Sequence, residues 1–163
     1  MGVQKIDFFS IAKFLLRECG FSVAHDDVMS SHSSSYFASV FDVSGKGRIE
    51  FRIGRLTPKK HGHFVAFWKR SDGGSTIPFD TADNFDFFMI CLSLDILEDV
   101  IDSRGYFFIP KKALVEHGVI SADGVGGKRG FRLYAPWIVV NSAQARATQL
   151  WQKNYFFDLT VNR

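Results

Sequence analysis

The amino-acid sequence predicts an α/β (α+β) domain in which a mixed central β-sheet is flanked by helices. Three observations lead to this class. Apolar and polar residues alternate over 48–57, which is typical of a half-buried strand. Residues 5–19 instead place apolar side chains at helical spacing, and strand-like and helix-like segments follow each other along the chain. The 163 residues, 46% of them hydrophobic, suffice for a single domain over residues 1–163 with its own core.

The first half of the chain is predicted to form one helix and three strands. Gly20 follows the apolar stripe of the helix and is a typical C-terminal stop. The glycines at 45 and 47 predict a tight hairpin. Pro58 should end the next strand, because proline lacks a backbone donor. The predicted elements are a helix over 5–19, a Ser-rich loop over 24–35 and strands over 36–44, 48–57 and 63–69.

The second half is predicted from one long apolar run and several clear punctuation residues. Pro110 should stop a strand, Gly118 should end a short helix, and Ser142 can cap the start of the last helix. The acidic stretch 95–104 is predicted as either a short helix or a long hairpin turn. The remaining predictions are loops over 71–83 and 124–130, strands over 85–94, 106–109 and 131–134, helices over 111–118 and 143–155, and a polar tail.

Charge and cysteine content narrow the compartment and the partner. The net charge is +3 and the isoelectric point is near 8.9, so the chain is mildly basic. Cys19 and Cys91 lie far apart in apolar runs, which predicts free buried thiols in a reducing cytosol. The N-terminal stretch lacks a signal-peptide pattern, and no apolar run approaches the roughly 20 residues of a membrane span. We expect a cytoplasmic protein with no membrane partner, and the sequence leaves its oligomeric state open.

Basic residues lie beside aromatic residues at several turns and strand ends, as Lys69 and Arg70 lie beside Trp68. This combination suits phosphate contacts together with base stacking. The glycines of GGKRG at 126–130 would let backbone N–H groups approach an anion. Solvated surface charge is the alternative interpretation. We expect these segments to converge in one trough that binds DNA or another polyanion, through Lys60, Trp68, Lys69, Arg70, Lys111, Lys128, Arg129, Arg132 and Tyr134.

Two carboxylates, Asp42 and Glu50, flank the predicted hairpin. Metal-dependent phosphodiesterases hold Mg²⁺ with such acids and place a cation near the attacked phosphate. On this hypothesis Asp42 and Glu50 bind Mg²⁺, while Arg55 and Lys59 stabilise the transition state. The alternative is that both acids are exposed strand charges that face basic residues of the same hairpin.

The predicted last helix carries a polar and aromatic face, because its members recur at three- and four-residue steps. The face consists of Gln144, Thr148, Trp151, Gln152 and Tyr155. Either this face meets a ligand, or Trp151 and Tyr155 pack on the core while the glutamines cap neighbouring backbone groups. The sequence leaves the role of Gln149 open as well.

Five stretches occur in the order found in a known family. They are FRIGRLTPKKHGHFVAFWKR, PFDTADNFDFFMI, YFFIPKKALVEHGVIS, GGKRGFRLYAPW and AQARATQLWQKNYF. Through them the chain resembles the MepB-like family over roughly residues 35–158. This resemblance implies a restriction-endonuclease-like fold of the PD-(D/E)XK group, whose members hydrolyse phosphodiesters with the help of a metal.

The resemblance assigns counterparts to three motifs of that group, at 53–57, 86–88 and 106–110. Arg55 stands where several members have lysine, and arginine can bind phosphate but cannot act as a base. Ile53 stands where many members have an acid or glutamine, and its side chain cannot bind a metal.

Three functions therefore remain open at the level of sequence. The first is an Mg²⁺-dependent DNA endonuclease. The second is a non-catalytic module that recognises nucleic acid, including a modified base held by Trp68, Tyr134 and Trp137. The third is a module that binds another anionic ligand, either a small molecule or a protein, at the same groove.

Overall fold

The computed structural model describes residues 13–14, 16–17, 20–22, 38–93 and 101–159. The four described positions within the predicted first helix are helical, and Gly20 follows them with a positive φ of 82°. The rest of that helix, the loop predicted over 24–35, most of the acidic stretch 95–104 and the end of the polar tail lie outside the described residues.

The strands and helices follow the predicted order with additions. Two helices and one 3₁₀ turn lie between the strands of the C-terminal half. The strands are β1 (Ser39–Val43), β2 (Gly47–Thr57), β3 (Lys60–Ala66), β4 (Trp68–Arg70), β5 (Thr76–Pro78), β6 (Phe87–Ser93), β7 (Ile101–Pro110), β8 (Gly130–Leu133) and β9 (Phe156–Asp158). The helices are α1 (Lys111–Glu116) and α2 (Ala143–Gln152), and a 3₁₀ turn (Lys153–Tyr155) continues α2.

Seven strands form one mixed sheet in the order β8-β3-β2-β6-β7-β9, with β1 paired to β2. The long strand β2 is central, because β1 and β3 pair with its two halves while β6 runs parallel to it on the other side. The other strand pairs of this sheet are antiparallel. Strands β4 and β5 form a separate two-stranded ribbon. The described chain is thus mostly β: a mixed seven-stranded sheet with helices α1 and α2.

The two faces of the sheet bury separate cores. Alternate residues of β6 point to opposite sides: Phe88 and Ile90 join the core beneath α1, while Met89 and Cys91 join the core that contains Leu16. Because β6 is covered on both faces, its sequence is a continuous apolar run, as predicted for a buried strand. Cys91 is buried, as predicted, and Cys19 lies outside the described residues.

Two differences from the predicted elements have clear packing causes. The strand predicted over 63–69 is split at Phe67, whose ring stacks between Phe79 at 4.2 Å and Phe88 at 3.9 Å. The polar tail contains β9, because Phe156 and its neighbour pack against β7. None of the described helices is long and apolar enough to cross a membrane.

Candidate functional site

Helix α2 is docked along the outer edge of β8 by a buried glutamine. The Gln152 side chain is fully buried; its Oε1 accepts from the Tyr134 amide and its Nε2 donates to the Arg132 carbonyl, both at 2.8 Å. Gln149 donates to two carbonyl groups of the loop before α2, at 3.0 and 2.9 Å. Gln152 thus caps neighbouring backbone groups, as one of the two alternatives for this face has it, and Gln149, whose role the sequence left open, does the same. These contacts fix α2 beside the sheet.

Both ends of α2 are held in place. Ser142 caps the N-terminus, as predicted, because its hydroxyl accepts a 3.0 Å hydrogen bond from the Ala145 amide. Near the C-terminus, the Trp151 ring stacks on His117 with a centroid distance of 4.1 Å and an interplanar angle of 5°. The face of α2 between these contacts therefore keeps a fixed distance from α1 and β8.

A cavity of about 460 Å³ lies between β3, β8 and α2. This size falls within the usual range for ligand sites. Its walls carry three cationic side chains, and no Asp or Glu is among the described residues that line it. We call it the basic cavity, and its principal lining residues are Lys60, Phe64, Lys128, Arg132, Tyr134 and Trp151.

The three cations of the basic cavity lie free of acidic partners within the described part of the chain. Lys60 and Lys128 are exposed, and no carboxylate described by the structure pairs with them. Arg132 is half-buried and donates to the Thr57 hydroxyl at 2.8 Å and to the His61 carbonyl at 3.2 Å. Both acceptors are neutral, so the positive charge of the guanidinium persists at the cavity wall.

Glycines hold the aromatic walls of the basic cavity. A Cβ atom at Gly130 would collide with the Phe64 ring, and one at Gly62 would lie 2.8 Å from the Tyr134 ring. Gly62 also has a φ of 80°, which favours glycine. Each ring consequently packs over a glycine of the neighbouring strand, where a planar ligand group could contact it.

The position of Lys128 depends on the glycine before it. Gly127 has a φ of 82°, and a Cβ atom there would lie 2.7 Å from the Ser121 amide nitrogen. The Lys128 amide then donates to the Val119 carbonyl at 2.8 Å. The predicted flexible glycine loop is therefore tied to its surroundings, and its glycines serve close packing that carries Lys128 into the cavity wall.

Other predicted phosphate-binding residues lie around the β4–β5 ribbon and do not line the basic cavity. The Arg70 guanidinium lies 5.3 Å from the Trp68 ring centroid and donates to the Gly74 carbonyl at 3.0 Å. Arg129 donates to the Thr76 hydroxyl at 3.4 Å, so it reaches the same ribbon. The structure therefore separates Arg129 from its neighbour in sequence, Lys128.

Lys69 and Lys111 converge on the loop before β6. Lys69 forms a 2.7 Å ion pair with Asp83, and Lys111 donates to the Asp83 carbonyl. The Lys111 ammonium also lies 4.9 Å from the centroid of the Phe85 ring. Lys69 and Lys111, both predicted to contact phosphate, thus hold this loop against α1 and β4.

The two carboxylates predicted to bind Mg²⁺ have arginine partners. Asp42 is exposed and accepts from Arg48 at 3.0 Å, and Glu50 is buried and accepts from Arg52 at 2.9 Å. Burial raises the pKa of Glu50, and the adjacent guanidinium opposes that shift. Among the described residues no group of three potential ligands converges, and the binding of Mg²⁺ by Asp42 and Glu50 stays a prediction.

The two cations assigned to the transition state lie near the basic cavity without being among its lining residues. Arg55 pairs with Phe64 across the β2–β3 ladder, and Arg132 pairs with Phe64 on its other side. Lys59 is exposed in the turn that precedes Lys60. Both residues lie beside β3, which forms one wall of the cavity.

Several wall residues of the basic cavity were outside the predicted phosphate-binding set. Phe64 was predicted in a buried strand, yet 41% of its surface is exposed. Gln144, Thr148 and Trp151 line the cavity, and their helical spacing was the sequence signal for them. No sequence signal indicated His117, because its role comes from the stacking of α1 against α2.

Comparisons with known proteins cover all of these elements. A family model described as MepB-like matches residues 30–158. The crystal structure of MepB is similar to this chain with a TM-score of 0.72 and 26% sequence identity, over 93% of this chain and 96% of that chain. No curated protein matches the sequence. The matched range contains the sheet, α1, α2 and the basic cavity.

Proposed function

The chain belongs to the MepB-like family, and from the geometry beside α2 we propose that it binds nucleic acid with the basic cavity. The observation that carries this proposal is the meeting of Lys60, Lys128 and Arg132 in one cavity without an acidic lining residue in the described chain. Phosphate groups are the natural partners of such a cluster, and each neutralised phosphate releases bound counterions.

Aromatic side chains favour nucleic acid over other polyanions. Phe64 and Tyr134 line the basic cavity beside the cations. Bases stack on such rings whatever their identity, because every base has a π face. A simple phosphate or sulfate polymer would use the cations and leave the rings without a role.

We propose binding rather than cleavage. The partner class agrees with the restriction-endonuclease-like fold that the family resemblance implies. Hydrolysis in that group uses carboxylates that are available to a metal, whereas Asp42 and Glu50 here are each held by an arginine. We therefore expect plasmid DNA to stay intact with Mg²⁺ or Mn²⁺. Nicking that is lost in Asp42→Ala would restore the hydrolytic interpretation.

The test of binding is a titration of a labelled single-stranded oligonucleotide, followed by fluorescence anisotropy at several salt concentrations. We expect affinity to fall with salt, and Lys60→Ala and Lys128→Ala each to reduce the logarithmic slope by about 0.7, the value for one phosphate contact on a single strand. Arg132→Ala should weaken binding as well, since it removes charge-assisted hydrogen bonds.

The matched control is Lys112→Ala. Lys112 is an exposed lysine of α1 that lies 3.8 Å from Glu116, and it does not line the basic cavity. Its substitution should leave affinity and slope unchanged. Equal slopes for the wild type, Lys60→Ala and Lys128→Ala would overturn the proposal, as would binding that does not depend on salt.

A further inference from the structure

A second cavity opens along the same face of α2. It has a volume of about 520 Å³ and shares His117, Gln144, Thr148 and Trp151 with the basic cavity. The two cavities are therefore neighbours, with these four residues as their common wall. We call this second space the neutral cavity; Leu150 and Asn154 are among its other lining residues.

The lining chemistry changes between the two cavities. No Lys, Arg, Asp or Glu is among the described residues that line the neutral cavity. Its polar groups are the amides of Gln144 and Asn154, the hydroxyl of Thr148 and the imidazole of His117, beside the indole of Trp151. Amides and hydroxyls can both donate and accept hydrogen bonds, and an indole offers a flat apolar surface. This combination suits an uncharged planar heterocycle, and no Lys or Arg among the described lining residues competes with the basic cavity for the phosphate.

The geometry of α2 relates the two halves of the site. The neutral residues follow one face of the helix, and the rise of 1.5 Å per residue separates Gln144 from Trp151 by roughly 10 Å. The cations of β3 and β8 stand beside this face. A ligand with a phosphate at one end and a heterocycle at the other can therefore contact both cavities at once.

We infer that the basic and neutral cavities together hold one nucleotide with an unpaired base. The inference rests on the proposed function and specifies its substrate class. The phosphate lies against Lys60, Lys128 and Arg132, and the base lies in the neutral cavity beside Trp151. In a duplex the base is paired and stacked, so it reaches such a cavity only by leaving the stack, whereas a single strand offers unpaired bases directly.

The test compares four ligands on the full-length protein. They are a labelled single strand, the same strand in a duplex, a strand of equal length made of abasic sites, and the free mononucleotide as a competitor. The abasic strand keeps the phosphates and lacks the bases. We expect it and the duplex to bind roughly ten-fold more weakly than the single strand, which is the loss typical of one base–aromatic stack.

Two variants locate the base. Trp151→Leu should reduce the preference for the normal strand over the abasic strand, while binding of the abasic strand is retained and Phe64 and Tyr134 still stack neighbouring bases. Trp151 also stacks on His117, so its substitution changes packing as well as the cavity. The double variant Gln144→Ala with Asn154→Ala, at two exposed positions of the same face, therefore gives a second measurement of the preference for the normal strand. Phe157→Leu is the control, since Phe157 is an exposed ring of β9 that lines neither cavity.

Each outcome separates this inference from the proposed function. Equal affinity for the normal and abasic strands, with a normal salt slope, overturns the inference and leaves phosphate binding standing. A loss of the preference in Phe157→Leu to the same degree as in Trp151→Leu also overturns it. Competition by the mononucleotide at concentrations similar to those of the strand supports the inference with a free nucleotide as the source, and weak competition supports it with a nucleic-acid strand. Binding of no strand at all overturns the proposed function.

Discussion

Two groups of cations in this protein differ in how their charge is balanced. In the basic cavity, Lys60 and Lys128 have no acidic partner among the described residues. Around the loop before β6, Arg52 and Lys69 meet carboxylates at short distance, and Lys111 meets the Asp83 carbonyl. We call this second group the Asp83 cluster: Glu50, Arg52, Lys69, Asp83 and Lys111. The comparison teaches that a cation beside an acid supports the fold, whereas a cation left unbalanced at a cavity produces a field for a ligand.

The largest expected effect concerns the buried pair of the Asp83 cluster. Arg52→Ala leaves the buried carboxylate of Glu50 without its guanidinium partner, so the free energy of unfolding should fall by about 3–5 kcal/mol. Urea unfolding measures this loss. Oligonucleotide affinity of the remaining folded protein should be unchanged, because Arg52 is 4% exposed and does not line the basic cavity.

The control for that prediction removes both charges. Glu50→Leu combined with Arg52→Met removes both charges of this pair, and most of the lost stability should return, since apolar replacement of a buried pair is often neutral. A loss below about 1 kcal/mol in Arg52→Ala, or a matching fall in affinity, would break the comparison between the two groups.

Sequence patterns could predict many local features, but they could not tell which cations lie beside acids and which line the basic cavity. The hairpin before β2 and the cap of Ser142 follow from local chemistry, and both are confirmed. Arg52 and Arg132 look alike in the sequence, because each alternates with apolar residues in a strand. The two arginines differ in their tertiary surroundings. The Arg52 guanidinium lies 5.7 Å from the Phe67 ring centroid in the interior, whereas Arg132 lines a cavity.

The β4–β5 ribbon and β9 were also out of reach of the sequence. Each contains strands of three residues, too short for a period-two pattern to be distinguished from loop. The basic cavity depends on long-range pairings as well, since β3 meets β8 from a distant part of the chain. Its cations could be proposed from sequence, but their convergence required the sheet order.

A smaller effect is expected for the partly exposed pair of the Asp83 cluster. The side chains of Lys69 and Asp83 are 28% and 24% exposed, so solvent screens their attraction. Lys69→Ala should lower the free energy of unfolding by about 1 kcal/mol or less, and the loss should shrink as salt is added. Thermal unfolding at low and high salt measures both values.

Binding provides the sharper test of Lys69. If the lysine serves the fold, the salt slope for the oligonucleotide should match that of the wild type in Lys69→Ala. A slope reduced as much as in Lys128→Ala would instead show that Lys69 contacts phosphate. The Asp83 cluster would then extend the nucleic-acid site, as the sequence alone had suggested.

The smallest effect on stability is expected where the effect on binding is largest. Lys60→Ala and Lys128→Ala remove exposed charges that face another cation, so their free energies of unfolding should stay within about 0.5 kcal/mol of the wild type. At low salt the change should be towards greater stability, because repulsion between like charges is relieved, and added salt should abolish it. A loss above 1 kcal/mol in either variant would mean that the lysine packs as part of the fold. An unchanged or increased stability, together with the reduced salt slope of binding, would mean that the protein keeps these charges for a ligand, because the folded chain gains nothing from them.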